Sequence, residues 1–191
     1  MRLTQLAQDL VRARLSAGMI AVDATAGNGH DTLFLAQSVG PTGIVYAIDI
    51  QSASIAATRE RLLSEGIDKS VVLIHASHDN WSAILPAEHY QNVDAVMMNL
   101  GYLPGGDQAI KTKAESTIKA IREAFAWLKS DGILTVLAYI GHPGGEDECA
   151  AVRTAFLELV NSPDRLHEQP SPPGTNGPIL FWCFCEAGMR S

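Results

Sequence analysis

Long apolar runs, paired cysteines and an excess of basic charge are all missing from this chain of 191 residues. No stretch reaches the roughly 18 uninterrupted apolar residues needed to cross a bilayer. Asp9, Arg12 and Arg14 break the start of the chain, where an export signal needs an uncharged core. The expectation is a soluble, unexported protein of the cytoplasm. Cys149, Cys183 and Cys185 are odd in number and contain no Cys-x-x-Cys pair, which argues against a disulfide framework or a zinc knuckle and fits a reducing compartment. No metal site is expected. Lysine and arginine total 14 against 21 aspartates and glutamates, a formal charge of −7. That balance excludes a broad basic surface for long nucleic acid, so any RNA contact must be local.

What is present is alternation. Leu3, Leu6, Ala7, Leu10, Val11 and Leu15 recur at helical spacing before Gly18 and form one apolar stripe. Short apolar runs then alternate with helical segments. Strands are expected at 19–24, 44–48, 71–75, 93–98 and 133–140, with helices at 30–38, 52–65, 111–129 and from 145 to 160. After residue 160 the alternation stops, and Pro170, Pro172, Pro173, Gly174, Gly177 and Pro178 separate two further strands, 166–169 and 179–186, in a hairpin-like end. Such a pattern predicts an α/β fold with an open, mainly parallel sheet covered by helices on both faces. The length is that of one domain, 1–191, with residues 1–18 an amphipathic helix packed on it. Its ligand site is expected at the carboxyl ends of the strands.

The first of those ends reads Asp23-Ala24-Thr25-Ala26-Gly27-Asn28-Gly29-His30-Asp31-Thr32. Two glycines let the backbone approach a ligand, and the helix that follows offers free amide donors, which points to a nucleotide-like group. Twenty residues beyond Gly29, Asp49 ends the second strand, where a carboxylate can accept both hydroxyls of a ribose. A P-loop is excluded, because no Gly-Lys-Ser/Thr follows the turn. NAD is disfavoured, since Thr32 replaces the third glycine of its fingerprint and Asp23 would repel a pyrophosphate. That carboxylate suits the amino group and sulfonium of S-adenosylmethionine, the preferred cofactor. Ser77, His78 and Asp79 follow the third strand, where a base edge would lie.

Asn99-Leu100-Gly101-Tyr102 follows the fourth strand and has the form of the Asp/Asn-x-x-aromatic motif of methyltransferases that modify amino groups. In that motif an amide oxygen accepts hydrogens from the target amine while the ring packs on a flat substrate. Leu100 and Gly101 stand where prolines are usual. After the fifth strand, His142 is a candidate base or phosphate contact, and equally a helix cap. Cys183 and Cys185 alternate on one face of the last strand and are read as packing residues.

Taken in order, the Asp23–Thr32 turn, Ser77-His78, the run Asn99-Leu100-Gly101-Tyr102-Leu103-Pro104-Gly105-Gly106-Asp107 and Gly141-His142-Pro143-Gly144-Gly145 resemble one bacterial family over nearly the whole chain. That family, long labelled putative rRNA methylases, comprises the tRNA 5-(aminomethyl)uridine methyltransferases of the wobble position. The resemblance implies a Rossmann-like class I methyltransferase fold of seven strands, the last antiparallel, and a homodimer. It implies N-methylation of the aminomethyl group of (2-thio)uridine in the anticodon stem-loop of tRNA. Carried onto matching positions, Gly27, Asn28, Gly29, Asp31 and Thr32 would surround the methionine part, Asp49 and Gln51 the ribose, and Ser77 with His78 the adenine. Asn99 and Tyr102 would face the substrate, with His142 and Asp31 as candidate bases. Lys111, Lys113, Lys119 and Arg122 on one helix, with Arg12 and Arg14 on the first, are candidate phosphate contacts. The alternatives are a methyltransferase for ribosomal RNA or a small amine, and a binding module without catalysis.

Overall fold

The central strands are the most apolar segments, and they set the architecture. In the computed structural model, which describes residues 2–67, 69–101, 114–141, 144–160, 162–175 and 177–186, β1 (Ile20–Asp23) is buried along its whole length. It runs parallel to β2 (Ile44–Asp49) on one side and to β4 (Val93–Leu100) on the other. β3 (Val71–His75) extends the sheet beyond β2, and β5 (Leu128–Tyr139) extends it beyond β4, both parallel. β7 (Pro178–Phe184) then pairs antiparallel with β5, and β6 (His167–Pro170) closes the edge. The strand order is β3-β2-β1-β4-β5-β7-β6. This is the seven-stranded, mainly parallel sheet with an antiparallel last strand that the sequence pattern and its family resemblance led us to expect.

Two cores lie on opposite faces of the sheet. α1 (Leu3–Arg12), α2 (His30–Val39) and α3 (Ser52–Ser64) cover one face, where Val11, Leu35, Val39 and Leu62 pack on Val45, Met97 and Leu137. α4 (Ala114–Trp127) and α5 (Gly145–Val160) cover the other, where Ile121, Phe125 and Phe156 meet Val96, Val136 and Phe181. Each fully buried Val, Leu or Phe side chain of this kind contributes roughly 1.5–3 kcal/mol. The α1 stripe buries Ala7 and Val11, and α1 lies against β5, β7 and α2, so it is an integral layer of the fold. Cys183 and Cys185 are wholly buried in the second core, and burial pushes the Cys183 thiol far up, which makes it unreactive.

Two boundaries differ from the sequence reading. β4 runs to Leu100, so Asn99 is a strand residue paired with Leu137 of β5 and not the first residue of a loop. The helix expected to end at residue 129 stops at Trp127, and β5 starts at once with Leu128 opposite Val93. The ladder then jumps, with Ala95 opposite Ile133, and the intervening bulge holds Asp131 at φ 67°. Lys129 in that bulge pairs with the buried Asp94, whose other oxygen accepts the Ile20 N–H at 2.8 Å. This charge pairing is invisible to periodicity. Among the described residues, no helix is long and apolar enough to cross a membrane.

The strand order reverses between β1 and β4, with β2 and β3 leading one way and β5 the other. In open α/β sheets such a reversal is where a crevice forms at the carboxyl ends of the strands. Asp23 and Asn99 are the polar residues that β1 and β4 deliver to it.

Candidate active site

The Gly-rich turn is laced to the strands on both sides. Ala24 N–H donates to Met97 O on β4 at 3.0 Å, and Ala26 N–H to Ile48 O on β2 at 2.9 Å. Gly27 and Gly29 adopt φ of 53° and 75°, the left-handed region that favours glycine. A Cβ on Gly29 would lie 2.9 Å from the Thr58 Cα, so the turn is pressed against α3 with no room for a side chain. α3 also grips the turn through polar contacts: Thr58 Oγ1 donates to Gly27 O at 3.2 Å, and Arg61 Nε donates to Asn28 O at 2.6 Å.

Asp23 sits beneath this turn at 1% exposure. Its Oδ1 accepts the Thr25 N–H at 3.2 Å, and its Oδ2 accepts the Thr32 hydroxyl at 2.6 Å. Asp23 and Thr32 thus brace the turn from below. Burial first, and the nearby Asp31 carboxylate second, push the Asp23 carboxyl up to about 7.

Asp49 closes the other side. Its Oδ2 accepts the Gly27 N–H at 2.9 Å and its Oδ1 the Gln51 N–H at 2.8 Å, so the backbone fixes the carboxylate and leaves one lone pair on each oxygen for further donors. Beyond β3, His78 Nδ1 lies 3.1 Å from Ala24 O. A carbonyl accepts only, so Nδ1 carries the hydrogen and Nε2 is left as an acceptor. Burial lowers the pKa of this histidine, in keeping with a neutral ring. Trp81, fully buried, anchors the segment by donating its Nε1–H to His78 O at 2.7 Å.

Asn99 is held at the cleft wall from two directions. Its backbone N–H donates to Thr25 Oγ1 at 2.7 Å, and its side-chain Nδ2 donates to Asp31 Oδ2. Its Oδ1 is buried and has no hydrogen-bond partner among the described residues. A buried acceptor left open costs about 1–3 kcal/mol, so it marks a place where a donor belongs. The other Asp31 oxygen accepts Gln8 Nε2 from α1 at 2.7 Å. Tyr139, at the end of β5, completes this side; burial raises its pKa, and the Asp31 charge raises it further.

Hydrogen bonds thus bring Asp23, Gly27, Asp31, Thr32, Asp49, Gln51, His78 and Asn99 together at the carboxyl ends of β1, β2 and β4, with Asn28 and Gly29 in the same turn and Ser77 next to His78 in the chain. Tyr102, His142, Lys111 and Lys113 lie outside the described residues. The remaining candidate phosphate contacts have other partners: Arg12 pairs with Asp9, Lys119 with Glu115 and Arg122 with Glu158, while the Arg14 guanidinium lies over the Phe184 ring, 4.3 Å from its centroid. Sequence reasoning missed Gln8, Thr25 and Tyr139. The signal for Gln8 was an amide at the edge of an apolar stripe, too common to single out. Among the described residues, no group of three or more His, Cys, Asp or Glu is placed to hold a metal ion.

The family model described as "Putative rRNA methylase" matches residues 45–169. The chain belongs to this family. Members and relatives extend the match beyond that segment. A crystal structure of a putative rRNA methylase from Clostridium thermocellum superposes with a TM-score of 0.87 at 34% identity, covering 96% of this chain and 97% of that one. A putative methyltransferase from Streptococcus mutans, crystallised in complex with SAH, gives a TM-score of 0.82 at 30% identity, covering 96% and 98%. The fold is therefore the Rossmann-like class I methyltransferase fold. Among curated proteins, the chloroplastic tRNA (mnm(5)s(2)U34)-methyltransferase of Arabidopsis thaliana is 36% identical over 97% of this chain. This chain spans 64% of the length of that plant protein. Ribosomal RNA small subunit methyltransferase H of Bifidobacterium adolescentis is 37% identical over 49% of this chain and 27% of its own.

Proposed function

We propose that this protein is an S-adenosylmethionine-dependent tRNA methyltransferase that methylates the 5-aminomethyl nitrogen of the wobble (2-thio)uridine, giving 5-methylaminomethyl-(2-thio)uridine. The observation that carries the reading is the open, buried Oδ1 of Asn99 beside the glycine turn, an acceptor of the kind the N–H of an attacking amine needs. The name of the Arabidopsis relative supports the substrate, and the SAH in the S. mutans neighbour supports the cofactor.

The residues present fit that cofactor. The turn formed by Gly27, Asn28 and Gly29 precedes α2 and its free amide donors, with Asp31 in the first turn of α2 to face an ammonium. The free lone pairs of Asp49, beside Gln51, take the ribose hydroxyls, and His78 Nε2, with Ser77, takes an adenine edge. Asp23 and Thr32 act from beneath, by shaping the turn. When bound, S-adenosylmethionine supplies a methyl group on a sulfonium leaving group.

The chain then has to present a neutral amine to that methyl group. An alkylamine resembling lysine has a pKa near 10.4 and is mostly protonated at neutral pH, and the ammonium has no lone pair. Removing it from water lowers that pKa, and the proton leaves to solvent. The Asn99 Oδ1 holds a remaining N–H and so points the nitrogen lone pair along the transfer axis, with orientation supplying most of the rate. The family resemblance assigns Tyr102 to the face of the substrate, with His142 and Asp31 as candidate bases. The reading extends to a homodimer acting in the cytoplasm on the anticodon stem-loop, with residues 1–191 as one domain.

The half-chain match to a ribosomal RNA enzyme favours one second reading, in which ribosomal RNA is the substrate. Labelled S-adenosylmethionine offered with tRNA from cells lacking this gene, with ribosomal RNA and with small amines separates the readings. The expected result is label in tRNA alone. Label in ribosomal RNA alone, or in the amines alone, overturns the tRNA assignment.

A further inference from the structure

Gln8 is 23 positions from Asp31 in sequence, on a helix whose other visible task is to bury Ala7 and Val11 against the sheet. Its Nε2 nevertheless donates to Asp31 Oδ1 at 2.7 Å, while Asn99 Nδ2 donates to Asp31 Oδ2. Both carboxylate oxygens are engaged from different elements, so rotation of the Asp31 side chain breaks both bonds at once. An ionised carboxylate accepts and never donates, so it dictates which face of each amide turns toward it. Flipping Asn99 would set its oxygen against the carboxylate, two acceptors in a buried site where Asp31 is 8% exposed. The open Asn99 Oδ1 seen in the cleft is the consequence of that selection.

We propose that Gln8 is a positioning residue for methyl transfer, which through the Asp31 carboxylate fixes the Asn99 amide with its oxygen toward the substrate amine. The inference rests on the function proposed above and assigns α1 a part in it. Its mode of failure is specific. Burial raises the pKa of Asp31, and the Gln8 and Asn99 hydrogen bonds pull it back. Besides these two partners, the titratable groups facing it are Asp23 from β1, which is coupled to it by like charge, His30 on its own helix, which favours its ionised form, and the phenol of Tyr139 from β5. Without Gln8 the carboxyl protonates more readily. A protonated Asp31 can donate as well as accept, so the Asn99 amide is free to flip, after which the Asp31 O–H donates to Oδ1 and the acceptor meant for substrate is lost.

The test is Gln8→Leu, which keeps an apolar contact for α1 and deletes the donor. The expected outcome is a kcat reduced by about tenfold at the acid end of the pH range, recovering as pH rises, while at pH values above the Asp31 transition the KM for S-adenosylmethionine stays within about twofold of wild type. A second measurement needs no turnover: the Asn99 side-chain amide signal in a nitrogen–proton correlation spectrum, assigned by its loss in Asn99→Ala. In the wild-type chain one of its protons shifts downfield as Asp31 ionises, and in Gln8→Leu that transition moves to higher pH. An unmoved transition, or a pH-independent kcat equal to wild type, overturns the proposal. If Gln8→Leu does not fold, the wild-type titration alone decides, since an Asn99 signal that does not follow a carboxyl transition removes the Asp31 link. A displaced transition with no methyl transfer to tRNA by either protein sinks the substrate assignment and leaves the Gln8 link standing.

Discussion

Asp23 holds a proton at pH values where an aspartate in water has lost it, and the sign of the consequence for stability follows. Its carboxyl titrates near 7 in the folded chain against an unfolded value of 3.8. Over that window the folded state binds more protons than the unfolded state, so stability falls with rising pH. The contribution is fully present below the unfolded value and lost as pH rises through about 7. Between about pH 5 and about pH 8 the melting temperature of the wild type should therefore drop relative to that of Asp23→Asn, and a constant difference would contradict the burial argument. Gly29 gives a second residue-scale outcome. Alanine there must take φ 75° with its Cβ 2.9 Å from the Thr58 Cα. Gly29→Ala should weaken SAH binding by about 1–3 kcal/mol, measured by calorimetric titration. At this scale the sequence was informative about which residues gather and poor about how. Asp23 was legible as a carboxylate near the turn, but its place beneath the turn depends on Thr25 and Thr32, which only the folded backbone brings to its two oxygens. Asp31 was legible, and its partner Gln8 was not, because that contact crosses from one helix to another.

Elements were legible where apolar periodicity was strong and shifted where a polar device intervened. β1, β2 and β3 were marked by short apolar runs at 19–24, 44–48 and 71–75, and the structure returns them within one residue at each end. β4 runs on through Asn99 because the ladder to Leu137 and Ala138 continues past the last expected strand residue, whatever the polarity of the side chain. That extension has a functional meaning, since an amide on a paired strand is more rigid than one on a loop. Trp81 is the clearest element-scale test. It lies in a short helical turn (Trp81–Ala83) after β3, its ring centroid 6.5 Å from that of Trp127 on α4, and its indole N–H fixes His78. Trp81→Ala should cost about 3–5 kcal/mol in urea denaturation and should lower cofactor affinity in the molecules that still fold. Unchanged affinity would mean that His78 does not depend on this anchor.

For the whole molecule, a charge of −7 sets the terms on which RNA can be bound. Arg12, Lys119, Arg122, Arg153 and Arg165 each have a carboxylate partner within the chain. The negative net charge restricts RNA binding to local phosphate contacts, so the KM for tRNA should rise with salt only gently, with a log–log slope of about 2–3. A slope near 10 would require a basic surface that this charge balance does not provide. In the proposed reaction the Asn99 amide oxygen, held open at the switch between β1 and β4, directs an aminomethyl nitrogen toward a methyl donor. The most direct test is nucleoside mass analysis of tRNA from cells lacking this gene, after incubation with S-adenosylmethionine and either the wild-type chain or Asn99→Ala. The expected outcome is conversion of the aminomethyl uridine to methylaminomethyl uridine by the wild type, and a rate lower by about a hundredfold in the variant with SAH binding retained. Equal conversion by both proteins would contradict it.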